Sequence, residues 1–446
     1  MKTAKLTSDI ILSYIESELF GIQNNINNKN DYKIGAELEI FTFKKKTEGE
    51  IVPVQLYKGE DPLIIPLIKI SEKYGGITAF KYDEANTTKD VSIADKIVFP
   101  DKSSIFFEPG GQIEISTTPC LTLKDLEHQL KFHQNILKEV SELSGIYFHQ
   151  SGINPISIDK LSNQFKKQRY TALESYLNNI SPYGREMMLK TCSMHINMDS
   201  GISEDTKFKR IVGANLLIPY ATAIFANSYV RKNDAKPIKS YRSKIWQHLD
   251  ETRTGILPLS RALQSMSIKD LIDTYYNFII NAPLIYNVDL GQKVLSKTMT
   301  LKHWIHNEIN GIWPNIAHLK NHVSLLFPEV RLKGFIELRS IDSPPLDWQM
   351  LPICFYAGLL YDSLSLDKTI QLLKPNYPNY DNIYKQSCYG MESKEIRETS
   401  QELMKISIEG YSRLPQSLKS GNPIKKLESF YDQFVSQGKT FADFNP

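Results

Sequence analysis

Ile34-Gly35-Ala36-Glu37-Leu38-Glu39-Ile40 alternates apolar or small residues with carboxylates. Side chains two apart on a strand share a face, so this run predicts a strand with Glu37 and Glu39 on one side and the apolar residues on the other. Working outward, four segments read as strands: Lys33–Phe43, Ile105–Thr117, Leu189–Met198 and Val330–Ile341. In the second, Gln112 and Glu114 oppose Ile113 and Ile115; in the third, the polar set is Ser193, His195 and Asn197. In the fourth, Arg331, Lys333, Glu337 and Arg339 share one parity, as long as Gly334 adds no bulge.

One polar-faced strand is the default pattern of a half-exposed antiparallel sheet. The composition of these faces is what departs from it. Carboxylates on neighbouring same-face positions repel, and Glu37, Glu39, Glu114 and Glu337 recur on separate strands beside a histidine and several cations. Convergence of those faces calls for a cation, and hard ions such as Mg²⁺ take oxygen ligands together with substrate phosphates. Arg and Lys would then meet phosphate or a substrate carboxylate. Glu108-Pro109-Gly110-Gly111-Gln112 is a turn whose glycines permit positive φ and close approach of a ligand, although a plain hairpin explains it equally well. Arg253-Thr254-Gly255 is too short to weigh alone and reads as well as a loop salt bridge. His195 gains weight as a metal ligand only from its strand neighbours.

The chain has 446 residues, a net charge of +3, 41% hydrophobic and 23% charged residues. These values fit a globular protein and give no reason to expect nucleic acid or a membrane as partner. Lys44-Lys45-Lys46, the densest basic run, reads as a solvated loop. Cys120, Cys192, Cys354 and Cys388 form no CxxC pair, which argues against a zinc site or a disulfide scaffold. Met1–Gly21 reads as an amphipathic helix rather than a signal peptide, and no apolar stretch is long enough to cross a bilayer. The expected location is the cytoplasm.

Asn24–Asn30 reads as a turn. Thr122-x-x-Asp125 resembles a capping box, followed by the apolar stripe Leu126, Leu130, Ile136, Leu137, Val140 and Leu143. Phe208–Asn227 should be a buried helix kinked at Pro219; Gln349–Leu364 and Ser393–Ile408 are further helices, and Leu373–Tyr380 reads as a loop. Strands mixed with long helices, without a βαβ rhythm, predict an α+β fold: an antiparallel sheet with helices packed on one face. Residues 1–30 would form a helix packed on a single catalytic domain, 31–446.

Taken together and in order, the segments Ile34–Glu39, Glu108–Ser116, Met188–Asp199, Ala223–Ser228, Arg242–Trp246, Arg253–Gly255 and Phe327–Arg339 resemble the plant and proteobacterial type of glutamate–cysteine ligase. That family belongs to the carboxylate–amine ligases related to glutamine synthetase. The resemblance covers about Asp31 to Asp362, with a weaker echo at Pro423–Glu428. It implies a sheet lining a funnel-like site, with Mg²⁺ and ATP as cofactors. It further implies that Glu37, Glu39, Glu114 and Glu337, with Glu108 and His195, bind metal, and that Arg331 and Lys333 meet phosphate. Arg242 and Trp246 fall in the family's glutamate segment, Asn197 and Arg339 are expected to contact substrate, and Arg253 would hold nucleotide or an acyl phosphate. Arg339, Arg253 and Lys333 are the expected catalytic cations. His195 stands where the plant enzymes carry Gln, Gln247–Thr252 replaces a more acidic family segment, and the regulatory cysteines of plant enzymes have no counterpart.

The resemblance implies two-step chemistry on small molecules, glutamate and cysteine, by a monomer or homodimer. The γ-phosphate of ATP converts a carboxylate oxygen into a leaving group, and an amine then attacks the acyl phosphate. Three rivals stay open at this point: a ligase of the same type with another amine, a degenerate nucleotide-binding relative, and a metal-dependent hydrolase.

Overall fold

A computed structural model describes residues 4–22, 32–46, 49–59, 61–82, 92–165, 168–231, 236–287, 289–290, 299–419 and 423–444. The Asn24–Asn30 turn lies outside them. Twelve strands occur among the described residues: β1 Ile34–Lys45, β2 Ile51–Pro53, β3 Ile77–Tyr82, β4 Ser92–Val98, β5 Ser104–Phe107, β6 Ile113–Ser116, β7 Tyr147–His149, β8 Ser193–Met198, β9 Thr254–Gly255, β10 Phe327–Pro328, β11 Val330–Leu332 and β12 Ile336–Asp342. The main sheet runs β11-β12-β8-β1-β6-β5-β4-β3 and is antiparallel throughout; β2 and β7 pair with the far end of β1. The fold is α+β, as the strand pattern predicts.

The alternation read from β1 is realised. Ala36, Leu38 and Ile40 are at most 1% exposed, whereas Glu37 and Glu39 are partly open. The apolar face joins Ile113, Ile115, Met194, Ile196 and Leu338 in one core, which the helices Leu123–Ser144, Glu204–Ile224 and Met350–Leu360 complete. Residues Leu6, Ile11, Ile15, Leu19 and Phe20 belong to the same core. No helix among the described residues is long and apolar enough to cross a membrane.

Several local expectations need correcting. The segment Ile105–Thr117 is two strands, β5 and β6, joined by the Glu108–Gln112 turn. Leu189 and Lys190 end a helix, Gly184–Lys190, before β8 begins at Ser193. Val330–Ile341 is likewise a hairpin: Gly334, at φ +76°, sits at its tip, and the pairing Arg331 with Glu337 keeps both on one face. The first helix starts at Ser8, capped by Thr7, and passes into a π-helical turn at Ile15–Leu19. Lys44 and Lys45 end β1 rather than lying in a loop, and Lys44 pairs with Asp61 at 3.0 Å.

Thr122 caps its helix by accepting from the Asp125 N–H, but Leu143, in the last turn, is 49% exposed and does not continue the buried stripe. The helix Glu204–Ile224 runs through Pro219, whose missing N–H leaves the Asn215 carbonyl unpaired. The Tyr380 hydroxyl donates to that carbonyl. Lys374–Asn379 is a 3₁₀ helix, not a loop, with Pro375 suited to its first turn.

Candidate active site

The register of the sheet assembles the acidic cluster. Glu39 lies opposite Glu114 across β1 and β6, Glu37 opposite His195 across β1 and β8, and Glu337 opposite Asn197 across β12 and β8. Of these, Glu37, Glu39, Glu114, His195 and Glu337 line one cavity of about 300 Å³. Its wall contains five carboxylates, Glu37, Glu39, Glu108, Glu114 and Glu337, and five fixed cations, Arg169, Arg242, Arg331, Lys333 and Arg339. Eleven of the thirteen candidates named from sequence line it; Asn197 and Arg253 do not.

The charges are segregated within the cavity. Glu337 is caged by cations: Lys333 Nζ and Arg339 Nη1 each stand 2.6 Å away and Arg331 Nη1 3.7 Å. Burial pushes the Glu337 carboxyl up, but Arg339, Arg331, His195 and Lys333 hold it well below the usual range. Glu114 has no such balance. Burial, with the charges of Glu37, Glu108 and Glu39, holds the Glu114 carboxyl well above the usual range. Glu37 is also raised by burial, yet the hydrogen bond from His195 brings it below that range.

Ligand atoms of Glu37, Glu114 and His195 lie within 4.8 Å of one another. A cation fits here, because positive charge would favour the ionised form of Glu114 that burial and its acidic neighbours oppose. Two carboxylates and one imidazole suit a hard ion that tolerates nitrogen, which admits Mn²⁺ beside Mg²⁺. His195 hydrogen-bonds at both ring nitrogens, to Glu37 at 3.0 Å and Ser193 Oγ at 2.9 Å, so ligation requires one of them to yield. Ser193 also gives its N–H and hydroxyl to Glu39, which anchors that carboxylate against β8. Asn197 serves from outside the cavity, donating to Glu37 at 3.1 Å.

The cationic side holds unused donors. Arg242 gives one nitrogen to the Arg339 carbonyl at 2.8 Å, while its Nη1 is buried with no partner among the described residues. The indole N–H of Trp246 and the Nε of Arg331 are in the same condition. Orphan donors that are buried beside an open cavity call for an anionic or carbonyl ligand. Arg169 shares this property: its Nη2 and that of Arg331 both donate to the Ser324 carbonyl, at 3.0 and 3.2 Å, and its Nε is unpartnered. Sequence reading missed Arg169, which lies at the start of the helix Gln168–Ile180 and outside every strand; the adjoining basic run Lys166-Lys167-Gln168-Arg169 was the available signal.

Two site expectations are corrected. Arg253 is fully buried away from the cavity: it pairs with Asp250 at 2.8 Å and donates to the carbonyls of Leu325 and Pro283. Each of its three nitrogens already has a partner inside the protein, and it does not line the cavity. In the Glu108–Gln112 turn, Gly111 has φ +86°, but what approaches the two glycines closely is Gln164 and the Leu189 backbone rather than open cavity.

The sequence matches the Glutamate-cysteine ligase family 2 (GCS2) over residues 33–398. It is 30% identical to the chloroplastic glutamate–cysteine ligase of Medicago truncatula over 379 residues, 83% of this chain and 68% of that enzyme. The Arabidopsis thaliana enzyme is 29% identical, with 83% and 66% covered, so this chain spans about two thirds of both plant proteins. Glutamate–cysteine ligase B of Oryza sativa subsp. japonica is 28% identical, with 92% and 79% covered. Among solved structures, a bifunctional glutathione synthetase from Pasteurella multocida aligns with a TM-score of 0.41 at 12% identity, covering 99% of this chain and 50% of that one.

Proposed function

We propose a reaction for this cavity from one premise: the chain belongs to glutamate–cysteine ligase family 2. It is a ligase that uses ATP to join the side-chain carboxylate of glutamate to the amino group of cysteine, the first step toward a glutathione-type thiol. The observation that supports this most is that one cavity holds both a carboxylate–imidazole cluster and five fixed cations.

A carboxylate is a poor acyl donor because its leaving group would be oxide, and transfer of the γ-phosphoryl group of ATP removes that obstacle. Glu37, Glu114 and His195 would hold the Mg²⁺, whose positive charge would offset the repulsion between carboxylate and triphosphate, and Glu39 and Glu108 line the same cavity. Arg331, Lys333 and Arg169 face the phosphates. Arg339 stands where charge builds on the acyl phosphate and on the tetrahedral species that follows. Arg242 Nη1 and the Trp246 N–H orient the amino-acid substrate, and Glu337 fixes Lys333 and Arg339 rather than binding metal in the resting protein. A cytoplasmic location belongs to the same proposal; all four cysteines are buried free thiols, as a reducing compartment would leave them.

The test is ADP release by purified protein with Mg-ATP, glutamate and cysteine, with mass spectrometry of the product. Dependence on both amino acids supports the assignment. A stronger response to another amine would move it to a sister reaction, and ADP-free cleavage of a substrate would remove it.

Two further outcomes are expected. Arg242→Lys should raise KM for glutamate about tenfold with KM for ATP unchanged, since a point charge replaces a fork of donors; equal changes in both would place Arg242 elsewhere. The second concerns pH. Because the Glu114 carboxyl is held above its usual range, the folded cation-free protein keeps a proton that the unfolded chain has released. Its stability therefore falls as pH rises from the ordinary carboxylate range to the raised value. Glu337, held below that range, works in the opposite sense, but only in acid. Cation binding must displace the Glu114 proton, so the thermal shift on adding MgCl₂ should be larger at about pH 8 than at about pH 6. A pH-independent shift would contradict the role of Glu114.

A further inference from the structure

A second cleft, of about 1040 Å³, lies against the ligase cavity with Trp246 in the wall of both. Its partition is built by the helix Tyr241–Trp246 and by the parallel pair β9–β10, in which Thr254 and Gly255 face the cleft while Phe327 faces the cavity. Phe327 meets the Trp246 ring edge-on at 6.2 Å. The far wall is aromatic, formed by Tyr377, Tyr380 and Tyr384.

Three features make this cleft a candidate binding site. Its rim carries two carboxylates, Glu251 and Asp381, and two ammonium groups, Lys374 and Lys385, and no ion pair joins any of them to another described residue. Asp381 and Lys385 sit four apart on one helix, the spacing at which a pair forms most readily, and still do not pair. The amide nitrogen of Gln247 is committed to Ser243 Oγ at 3.1 Å and the Tyr384 carbonyl at 2.8 Å, leaving its Oε1 buried with no donor.

We infer that the second cleft binds a small zwitterion, an amino acid or short peptide carrying an apolar or aromatic side chain, and that its occupancy alters the grip of the ligase cavity on its carboxylate substrate. The rim charges take the ammonium and carboxylate groups, and the tyrosines and Leu257 take the side chain. The effect on the first cavity rests on the ligase reading and has a continuous route. The Tyr384 hydroxyl donates to buried Glu329 at 2.7 Å, the Glu329 carbonyl accepts from the Arg339 N–H at 2.9 Å, and the Arg339 carbonyl holds Arg242 at 2.8 Å. Arg242 and Arg339 also lie over the Trp246 ring, at 5.6 and 5.8 Å.

The test uses the whole protein and calorimetry with each common amino acid and a set of dipeptides, repeated in the exposed charge variants Asp381→Lys and Lys385→Glu and in Glu37→Gln. A ligand of the cleft should bind about tenfold more weakly in the charge variants and equally well in Glu37→Gln. In wild-type protein that same ligand should change KM for glutamate while leaving KM for ATP alone. If no compound binds, or if every compound that binds responds only to Glu37→Gln, the cleft is not a ligand site. If a cleft ligand binds without changing KM for glutamate, the coupling is wrong. Ligase activity itself is read separately by ADP release, so loss of either reading leaves the other standing.

Discussion

Glu37→Gln should lower kcat by at least about a hundredfold while leaving the protein folded. Glutamine keeps the volume of the side chain and can still accept from Asn197, but it removes one anion from the group that would hold the cation. It also presents an N–H₂ where His195 now meets a carboxylate oxygen, so the imidazole must change its hydrogen bonding. Stability is expected to hold because two effects oppose each other. A charge-assisted bond to His195 is lost, and the cost of burying the Glu37 charge is relieved. The thermal midpoint should move by no more than about 2 °C, and the variant should lose most of the stabilisation that wild type gains from Mg²⁺. Wild-type turnover in this variant would refute its metal role. A collapsed fold would show instead that Glu37 is structural.

Arg253→Met is expected to do the reverse: lower stability by about 3–5 kcal/mol and leave KM for ATP unchanged in whatever protein folds. The guanidinium is fully buried, lies 4.7 Å from the Tyr176 ring, pairs with Asp250 and satisfies two carbonyls from distant segments, Pro283 and Leu325. Methionine fills much of the space but leaves a buried carboxylate with Tyr176 and Thr252 as its remaining side-chain donors, together with two orphaned acceptors. Urea unfolding at several temperatures measures the first effect, and ATP-dependent kinetics at low temperature the second. A large rise in KM for ATP with no loss of stability would return Arg253 to the nucleotide.

The contrast between these residues shows what the sequence could reveal. Period-two alternation identified Glu37, Glu39, Glu114, His195 and Glu337 as face-sharing positions, because strand geometry makes facing a local property. Which strands lie side by side is not local, yet the acidic faces themselves pointed to convergence: a scattered arrangement would not require so many carboxylates to be offset by Arg and Lys. Arg253 misled because an arginine that braces the interior and one that grips phosphate look alike in sequence; Asp250 three residues earlier was the sign of an internal pair. Arg169 escaped because strand parity does not extend to a helix start. Glu337 was read as a metal ligand from its neighbours' chemistry, but only the hairpin register reveals that Arg331, Lys333 and Arg339 reach it first. The second cleft was invisible for a related reason, since it joins Gln247–Gln264 to Lys374–Lys385 across more than a hundred residues of chain.

The Gln247–Thr252 stretch, where the chain departs from the plant pattern, contributes Gln247 and Glu251 to that cleft and Asp250 to the Arg253 clamp. The departure thus falls beside the acidic cavity rather than within it.

Activation of a carboxylate by phosphate is the claim on which the functional reading stands, and oxygen transfer measures it directly. Glutamate labelled with ¹⁸O in its side-chain carboxylate is incubated with cysteine, Mg-ATP and the protein, and the inorganic phosphate is examined by mass spectrometry. One labelled oxygen should appear in each phosphate released, in step with γ-glutamylcysteine. Unlabelled phosphate, or product formed without ATP, would contradict it.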